Sequence, residues 1–394
     1  MYRRHFLLSL FLIVVTLPSS AIDLQRMASG WHGFNLLNYF NGEYTEPFSE
    51  EEFQWMHEWG FNFVRIPISY WSWSRPGDYY NMDEEVLRDI DRCVEWGRKY
   101  HIHVCLNLHR APGYCVNPPA EPEDLFTSDS ALEGCAYQWG VLAKRYAKVS
   151  PRDLSFNLLN EVPDIADADY ERVVRRLVDA IRDANPRRIV MIDGLQWGGR
   201  PLLQVADVKR IMQCGRGYQP MLISHYNASW VFHDGMWLTP DQLSWPCEAD
   251  GVTYDKEWIR QLLTTSWGPM LDTGRQPLFI GEFGAHNCTP HDVTLAWLRD
   301  ELDIFSELHL GWTLWNLRGS FGVLDSGRTD VDYEDFHGHK LDRQMLDLLQ
   351  SHLPDSSRGR MENPTEWKRE IRPNGNGKYD RMKMGNMTEW KWEI

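Results

Sequence analysis

Two glutamates stand out by where they fall. Glu161 follows the apolar run DLSFNLLN (153–160), and Glu282 lies inside PLFIGEF (277–283), 121 positions later. Other polar or aromatic residues close similar runs: Arg65, His109, Asn160, His225 with Tyr226, and Trp315. Such side chains are costly to bury singly, so their recurrence at the ends of apolar runs points to one shared, functional surface. Two carboxylates on opposite walls suit cleavage of a glycosidic bond. One must be protonated to assist the leaving oxygen, and the other ionised to attack the anomeric carbon. Arg65 beside Glu282 would hold that carboxylate charged, while a more apolar setting would keep the proton on Glu161. Trp315 offers a flat face to the apolar side of a sugar ring.

The elements that must position these residues follow from hydrophobic periodicity. Short β-type runs are expected near 31–37, 61–68, 102–109, 153–160, 188–194, 219–226, 277–283 and 309–316. Helical spacing is expected over 49–59, 83–100, 131–148, 167–184, 254–264, 290–306 and 340–352, as in Val86, Leu87, Ile90 and Val94. Eight buried strands mostly alternating with helices predict an α/β fold, a closed (β/α)8 TIM barrel, followed by a short irregular C-terminal tail. In such a barrel the active site lies at the C-terminal strand ends, where the residues above fall.

The chain resembles glycoside hydrolase family 5, the retaining β-glycanases that include many cellulases. The resemblance rests on VRIP (64–67), Leu108-His109, Leu159-Asn160-Glu161, GEFG (281–284) and Leu314-Trp315-Asn316, in the family's order over residues 31–350. It implies Glu161 as acid/base and Glu282 as nucleophile. Asn160 is implied to bond the sugar 2-hydroxyl, His109 and His225 to line the central subsite, Arg65 to support Glu282, and Trp315 to be the sugar platform. Two departures mark this sequence. Val162 stands where the family has proline, with Pro163 next, and Tyr226 directly follows His225 where the family tends to have His-x-Tyr. Neighbours on a strand face opposite ways, so Tyr226 reaches the site only through a bulge.

Composition narrows the partners. Across 394 residues the net charge is −15, which disfavours nucleic acid and anionic membranes. A neutral β-glucan polysaccharide or oligosaccharide suits it, and 19 tryptophans suit stacking on sugars. Trp55, Trp59, Trp96 and Trp139 recur at helical positions and are expected in packing. Trp71, Trp73, Trp197, Trp230, Trp237 and Trp245 follow strands and are candidates for sugar contact. Residues 1–21 carry a basic start, the apolar run Phe6 to Leu17 and small residues to Ala21, a signal peptide of Sec or twin-arginine type. Its removal deletes two arginines and no acids, taking the charge to −17. The expected domains are this signal, a catalytic domain over 22–352, and a tail over 353–394 with a duplicated TEWKxEI segment.

The expected product is thus a secreted or periplasmic bacterial enzyme, monomeric, without cofactor or metal. His101-x-His103 begins a strand instead of ending one, and His337-x-His339 lacks a third ligand. Of three Asn-x-Ser/Thr triplets, at Asn227, Asn287 and Asn386, the first two lie just beyond catalytic strands, where a glycan would obstruct the cleft, and read as unused. Of seven cysteines, Cys115 and Cys135 are the expected disulfide and Cys105 a buried thiol. An endo-β-1,4-glucanase is the first reading. A β-glucosidase or exo-glucanase, a β-mannanase and a xyloglucanase share its scaffold, and a non-catalytic carbohydrate-binding barrel is the rival of another class.

Overall fold

A computed structural model describes residues 23–42, 46–231, 243–249 and 251–354. The signal segment, all but the first residues of the tail, and Trp237 lie outside these residues. Eight parallel strands close into a barrel: His32–Asn35, Phe63–Ser69, His103–Ala111, Leu154–Asn157, Ile189–Asp193, Ile211–Gly217, Leu278–Phe283 and Gly311–Leu314. They are called the first to eighth strands below. Each pairs with its neighbour, and the first pairs with the eighth at His32 opposite Trp312, which seals the sheet without an edge.

Helices cover the outside. The one at Glu84–Lys99 has Asp83 as its N-cap, accepting from the Glu85 N–H at 2.8 Å, with acids in its first turn and Arg98 and Lys99 in its last. Leu87, Ile90, Cys93, Val94 and Gly97 turn one stripe onto the sheet. Asp167–Ala184 repeats the pattern with Tyr170, Val173, Val174, Leu177, Val178 and Ile181.

Inside the barrel, period-two alternation sorts side chains by height. A lower cluster holds Trp31, Phe63, Cys105, Met191, Met212, Cys214 and Phe279. Two residues further along the same strands come Arg65, Asn107 and Asp193, each buried, and Arg216, whose side chain is 5% exposed. The alternation that fills the floor with apolar groups thus delivers polar ones to the mouth. Glu282 is out of phase with Phe279. A register shift between Ile280 and Glu282, where the seventh strand pairs with the sixth, turns its carboxylate toward that polar layer.

The expected sixth strand is misplaced. Residues 219–226 are not a strand: Met221–Ser224 form a short helix and His225 is its C-cap. The strand is Ile211–Gly217, whose Gln, Arg and two Gly mask its β character. The Gln213 amide is fully engaged inside the protein, bonded to the backbone N–H and carbonyl of Leu202 and to Gln276 at 2.9 Å each. Gly217 is required by close packing, since a Cβ there would meet Phe283 and Phe305 at 2.9 Å. The expected disulfide is likewise corrected. Cys115 and Cys135 are both free thiols: Cys115 Sγ contacts the His109 carbonyl, and Cys135 is buried on the helix Asp129–Arg145.

Candidate active site

The mouth is built around two guanidinium groups. Arg65, 1% exposed, donates from Nε to Asn157 Oδ1 at 2.9 Å, from Nη1 to Asn35 Oδ1 at 3.1 Å and Glu282 Oε1 at 2.6 Å, and from Nη2 to Asn160 Oδ1 at 2.8 Å. Arg216 approaches from the sixth strand. Its Nη2 contacts Asn160 Oδ1 at 2.8 Å, Glu282 Oε1 at 3.2 Å and Asp193 Oδ2, and its Nε reaches Glu161 Oε1 at 3.3 Å. The two guanidiniums thus hold Asn160 between them and share Glu282.

The carboxylates are treated unequally. Glu282 accepts from Arg65, from Arg216 and, at Oε2, from the Tyr218 hydroxyl at 3.1 Å. Glu161 keeps one long contact to Arg216. Burial raises its pKa from 4.5 to about 8, aided by the charges of Glu282 and Asp193 against those of Arg216 and Arg65. One carboxyl is caged by donors and the other holds a proton near neutrality, the asymmetry that acid-assisted displacement needs. Glu161 has φ 49°, a left-handed conformation unusual for glutamate. Its backbone is pinned on both sides: the N–H donates to Asp193 Oδ2 at 2.7 Å, and the carbonyl accepts from the Tyr114 hydroxyl at 2.6 Å. Val162 in the proline position is fully buried, its carbonyl accepting from the Trp197 N–H at 2.8 Å.

Other expected site residues surround this pair. His109 Nε2 lies 3.1 Å from Asn117 Nδ2 and 3.5 Å from Asn160 Nδ2. Both neighbours are donors, so Nε2 accepts and the proton sits on Nδ1. Burial, with Arg65, Arg216 and Arg110 nearby, pushes the His109 pKa well below its ordinary value and keeps the ring neutral. Trp315 lies nearly parallel to His109, centroids 5.6 Å apart, and edge-on to Phe40. His225, the C-cap of the short helix after the sixth strand, meets Tyr218 edge-on at 4.9 Å and so adjoins the site through that ring. Tyr226 packs in the hydrophobic core and has no place in the polar layer. The register expected of His225-Tyr226 belongs to Arg216-x-Tyr218, with arginine where the family tends to have histidine.

Among the described rim tryptophans, Trp73 is buried and donates to Gln138 Oε1 at 3.1 Å, which makes it core. Trp245 donates to Asp300, Trp71 lies beneath the Arg110 guanidinium, and Trp230 stands 47% exposed. His103 is bonded to the Arg152 carbonyl and Ser155 Oγ on the barrel floor. Among the described residues, no three His, Cys, Asp or Glu converge on a metal position, and no helix is long and apolar enough to cross a membrane.

Arg216, Tyr218, Asp193, Asn35, Asn157, Tyr114 and Asn117 were not expected here. Arg216 and Tyr218 carried a signal, a polar pair two apart behind Ile211 to Cys214 with Pro220 as the stop. Asp193 ends IVMID (189–193) as openly as Asn160 ends its own run.

A closed parallel barrel with this unequal carboxyl pair at its C-terminal mouth is the architecture of a glycoside hydrolase. Residues 23–320 match the model of the cellulases, glycosyl hydrolase family 5, and the chain belongs to that family. It is 25% identical over 328 residues to endoglucanase C of Acetivibrio thermocellus, covering 77% of this chain and 94% of that protein. It is 26% identical over 271 residues to cellodextrinase A of Ruminococcus flavefaciens, covering 66% and 75%. A solved glycoside hydrolase superposes with a TM-score of 0.75 at 37% identity, over 82% of this chain and 99% of the other. An endoglucanase from the hyperthermophilic Thermotoga maritima shares the fold at a TM-score of 0.68 and 20% identity, over 83% and 100%.

Proposed function

We propose that the chain is an exported endo-β-1,4-glucanase, monomeric, acting by a retaining double displacement with Glu282 as nucleophile and Glu161 as acid/base. The carrying observation is the unequal treatment of the two carboxyls. In the first step Glu282 Oε2 attacks the anomeric carbon as the C–O bond to the leaving sugar breaks, and the Glu161 proton passes to the departing oxygen. Oε1 carries both guanidinium contacts, leaving Oε2 as the attacking atom. In the second step water attacks the same carbon, Glu161 takes its proton, and the bond to Glu282 breaks. Asn160, held by both guanidiniums, turns its Nδ2 toward the sugar 2-hydroxyl, and Trp315 and His109 floor the subsite. His225 acts at the periphery, supporting Tyr218.

Relatives named endoglucanase support attack on a β-glucan; one named cellodextrinase makes short-chain, exo-type cleavage the second reading. A time-resolved product profile over cellulose, mixed-linkage glucan, xyloglucan and mannan tests both. Early release of mixed-length oligosaccharides from β-1,4-glucan is expected. Accumulation of a single short product from the first minutes would overturn endo action, and activity confined to mannan or xyloglucan would overturn the substrate.

A further inference from the structure

The mouth contains a charge balance that the two-glutamate reading does not use. Asp193 is fully buried and ends the fifth strand. It accepts from the Glu161 N–H at 2.7 Å, from Asn157 Nδ2 at 3.0 Å and from Arg216. Arg216 in turn touches Glu161, Glu282 and Asn160. Asp193 and Arg216 are therefore the only side chains seen to bond Glu161's N–H and its carboxyl, respectively, among the described residues.

Counting charges shows what this pair does. Two permanent cations, Arg65 and Arg216, sit among three carboxyls, Asp193, Glu161 and Glu282, in a nearly water-free layer. With all three ionised the layer carries a net negative charge, which burial penalises; with one protonated it is neutral. The proton settles where donors are fewest. Glu282 has three donors and Asp193 three, whereas the Glu161 carboxyl has a single contact at 3.3 Å.

We propose that Asp193 and Arg216 are a positioning pair that holds Glu161 in place and keeps a single proton on the glutamate pair, so that the alkaline limit of activity moves with the charge of either partner. The proposal rests on the acid/base reading of Glu161. Glu282, whose charge also raises the Glu161 pKa, is the other half of the pair; the remaining titratable groups facing Glu161 do not supply this control. His109 on the third strand is kept neutral, and Tyr114 and Cys115 beyond it and Tyr218 just after the sixth strand have their pKa values raised by burial and stay protonated.

The test is the pH dependence of kcat/KM on 4-nitrophenyl β-cellobioside and soluble mixed-linkage β-glucan, for the wild type, D193N, R216Q, R216K and E161Q, each checked for folding by circular dichroism. D193N removes a negative charge of similar shape, so Glu161 gives up its proton more readily and the alkaline limb moves down by about one pH unit or more. R216Q removes a cation, and the limb moves up by about the same amount. R216K keeps the charge but loses the fork, so the limb stays while kcat falls about tenfold. A merely structural pair would lower kcat without moving the limb in opposite directions. Limbs unmoved in D193N and R216Q, with E161Q inactive on β-glucan, would overturn this proposal alone. An active E161Q would overturn the acid/base reading beneath it. If D193N does not fold, D193S takes its place on the same criterion: a limb moved down supports the pair's role, and an unmoved limb refutes it.

Discussion

The third strand carries a histidine at each end, and the two live in opposite worlds. His103, on the floor, has both ring nitrogens bonded, at 2.8 Å to the Arg152 carbonyl and 2.8 Å to Ser155 Oγ, and stacks on Phe63. His109, at the mouth, has Nε2 between two asparagines, while its buried Nδ1 has no partner. On the floor His103 is closed chemistry: both of its nitrogens are satisfied and nothing is left to offer. The mouth withholds satisfaction, leaving a donor on His109 and a proton on Glu161. Between these two histidines burial does not separate function from stability, since both are buried; incomplete pairing at the C-terminal end of the strand does.

The strongest break of that contrast is at the carboxyls. Glu282→Gln and Glu161→Gln are each expected to lower kcat on mixed-linkage β-glucan by about 10³-fold or more; the melting temperature is not reduced in Glu161→Gln and falls in Glu282→Gln, where Arg65 and Arg216 lose their shared carboxylate. Reducing-sugar release by the purified variants checks this, and wild-type rates in either would remove the role assigned to that residue.

Next comes the exchange of the two histidines. His103→Ala loses two hydrogen bonds and a stacked ring, so a cost of about 2–4 kcal/mol in stability is expected with kcat unchanged. His109→Ala is expected to do the reverse, lowering kcat about 10–100-fold at a smaller cost in stability. Denaturant midpoints measured beside kcat distinguish them. A drop in both quantities for both variants would erase the division between floor and mouth.

The mouth's unsatisfied state also has a pH signature. The Glu161 pKa is raised from 4.5 to about 8, so the native protein holds a proton there that the unfolded chain releases. Its contribution to stability is therefore fully present below about 4.5 and is lost as pH rises through about 8. Glu161→Gln carries no such titration, so its melting temperature should exceed that of the wild type by a few degrees near pH 8.5, with the gap shrinking below pH 5. The wild-type kcat/KM should fall on its alkaline side near pH 8 for the same reason. A constant gap across this range would contradict the pKa assignment.

Much of this contrast is legible in the sequence, and the reason is period-two alternation. His109, Asn160 and Glu161 end apolar runs and Arg65 interrupts one, so their height in the barrel can be counted off. The parts that resist reading are those where alternation fails. Glu282 depends on a bulge that only the pairing of the sixth and seventh strands reveals. The sixth strand itself contains Gln213, Gly215, Arg216 and Gly217, which look like a loop because their partners, Leu202, Gln276 and Phe283, come from distant segments. The apolar QPMLISHY (219–226) imitated a strand, and with it His225 and Tyr226 displaced Arg216 and Tyr218. Asp193 was in plain view, but a lone aspartate reads as a turn former until its contacts with Glu161 and Arg216 are seen.

The smallest expected effect separates two tryptophans that sequence position treats alike. Trp73 and Trp230 both follow barrel strands, yet Trp73 is buried against Gln138, while Trp230 stands exposed with its ring edge-on to His286 at 5.0 Å. An exposed ring held by edge contacts keeps a face free, and an aromatic contact of that kind is worth about 0.5–1.5 kcal/mol beyond the area it buries. Trp230→Ala should therefore raise KM for polysaccharide about 2–10-fold and leave kcat and the melting temperature unchanged. Trp73→Ala should instead lower the melting temperature, because it empties a large buried site and strands the Gln138 amide oxygen. Should Trp230→Ala leave KM unchanged on every glucan tested, the sugar-binding surface ends at Trp315 and the exposed ring serves only to shield His225 and His286.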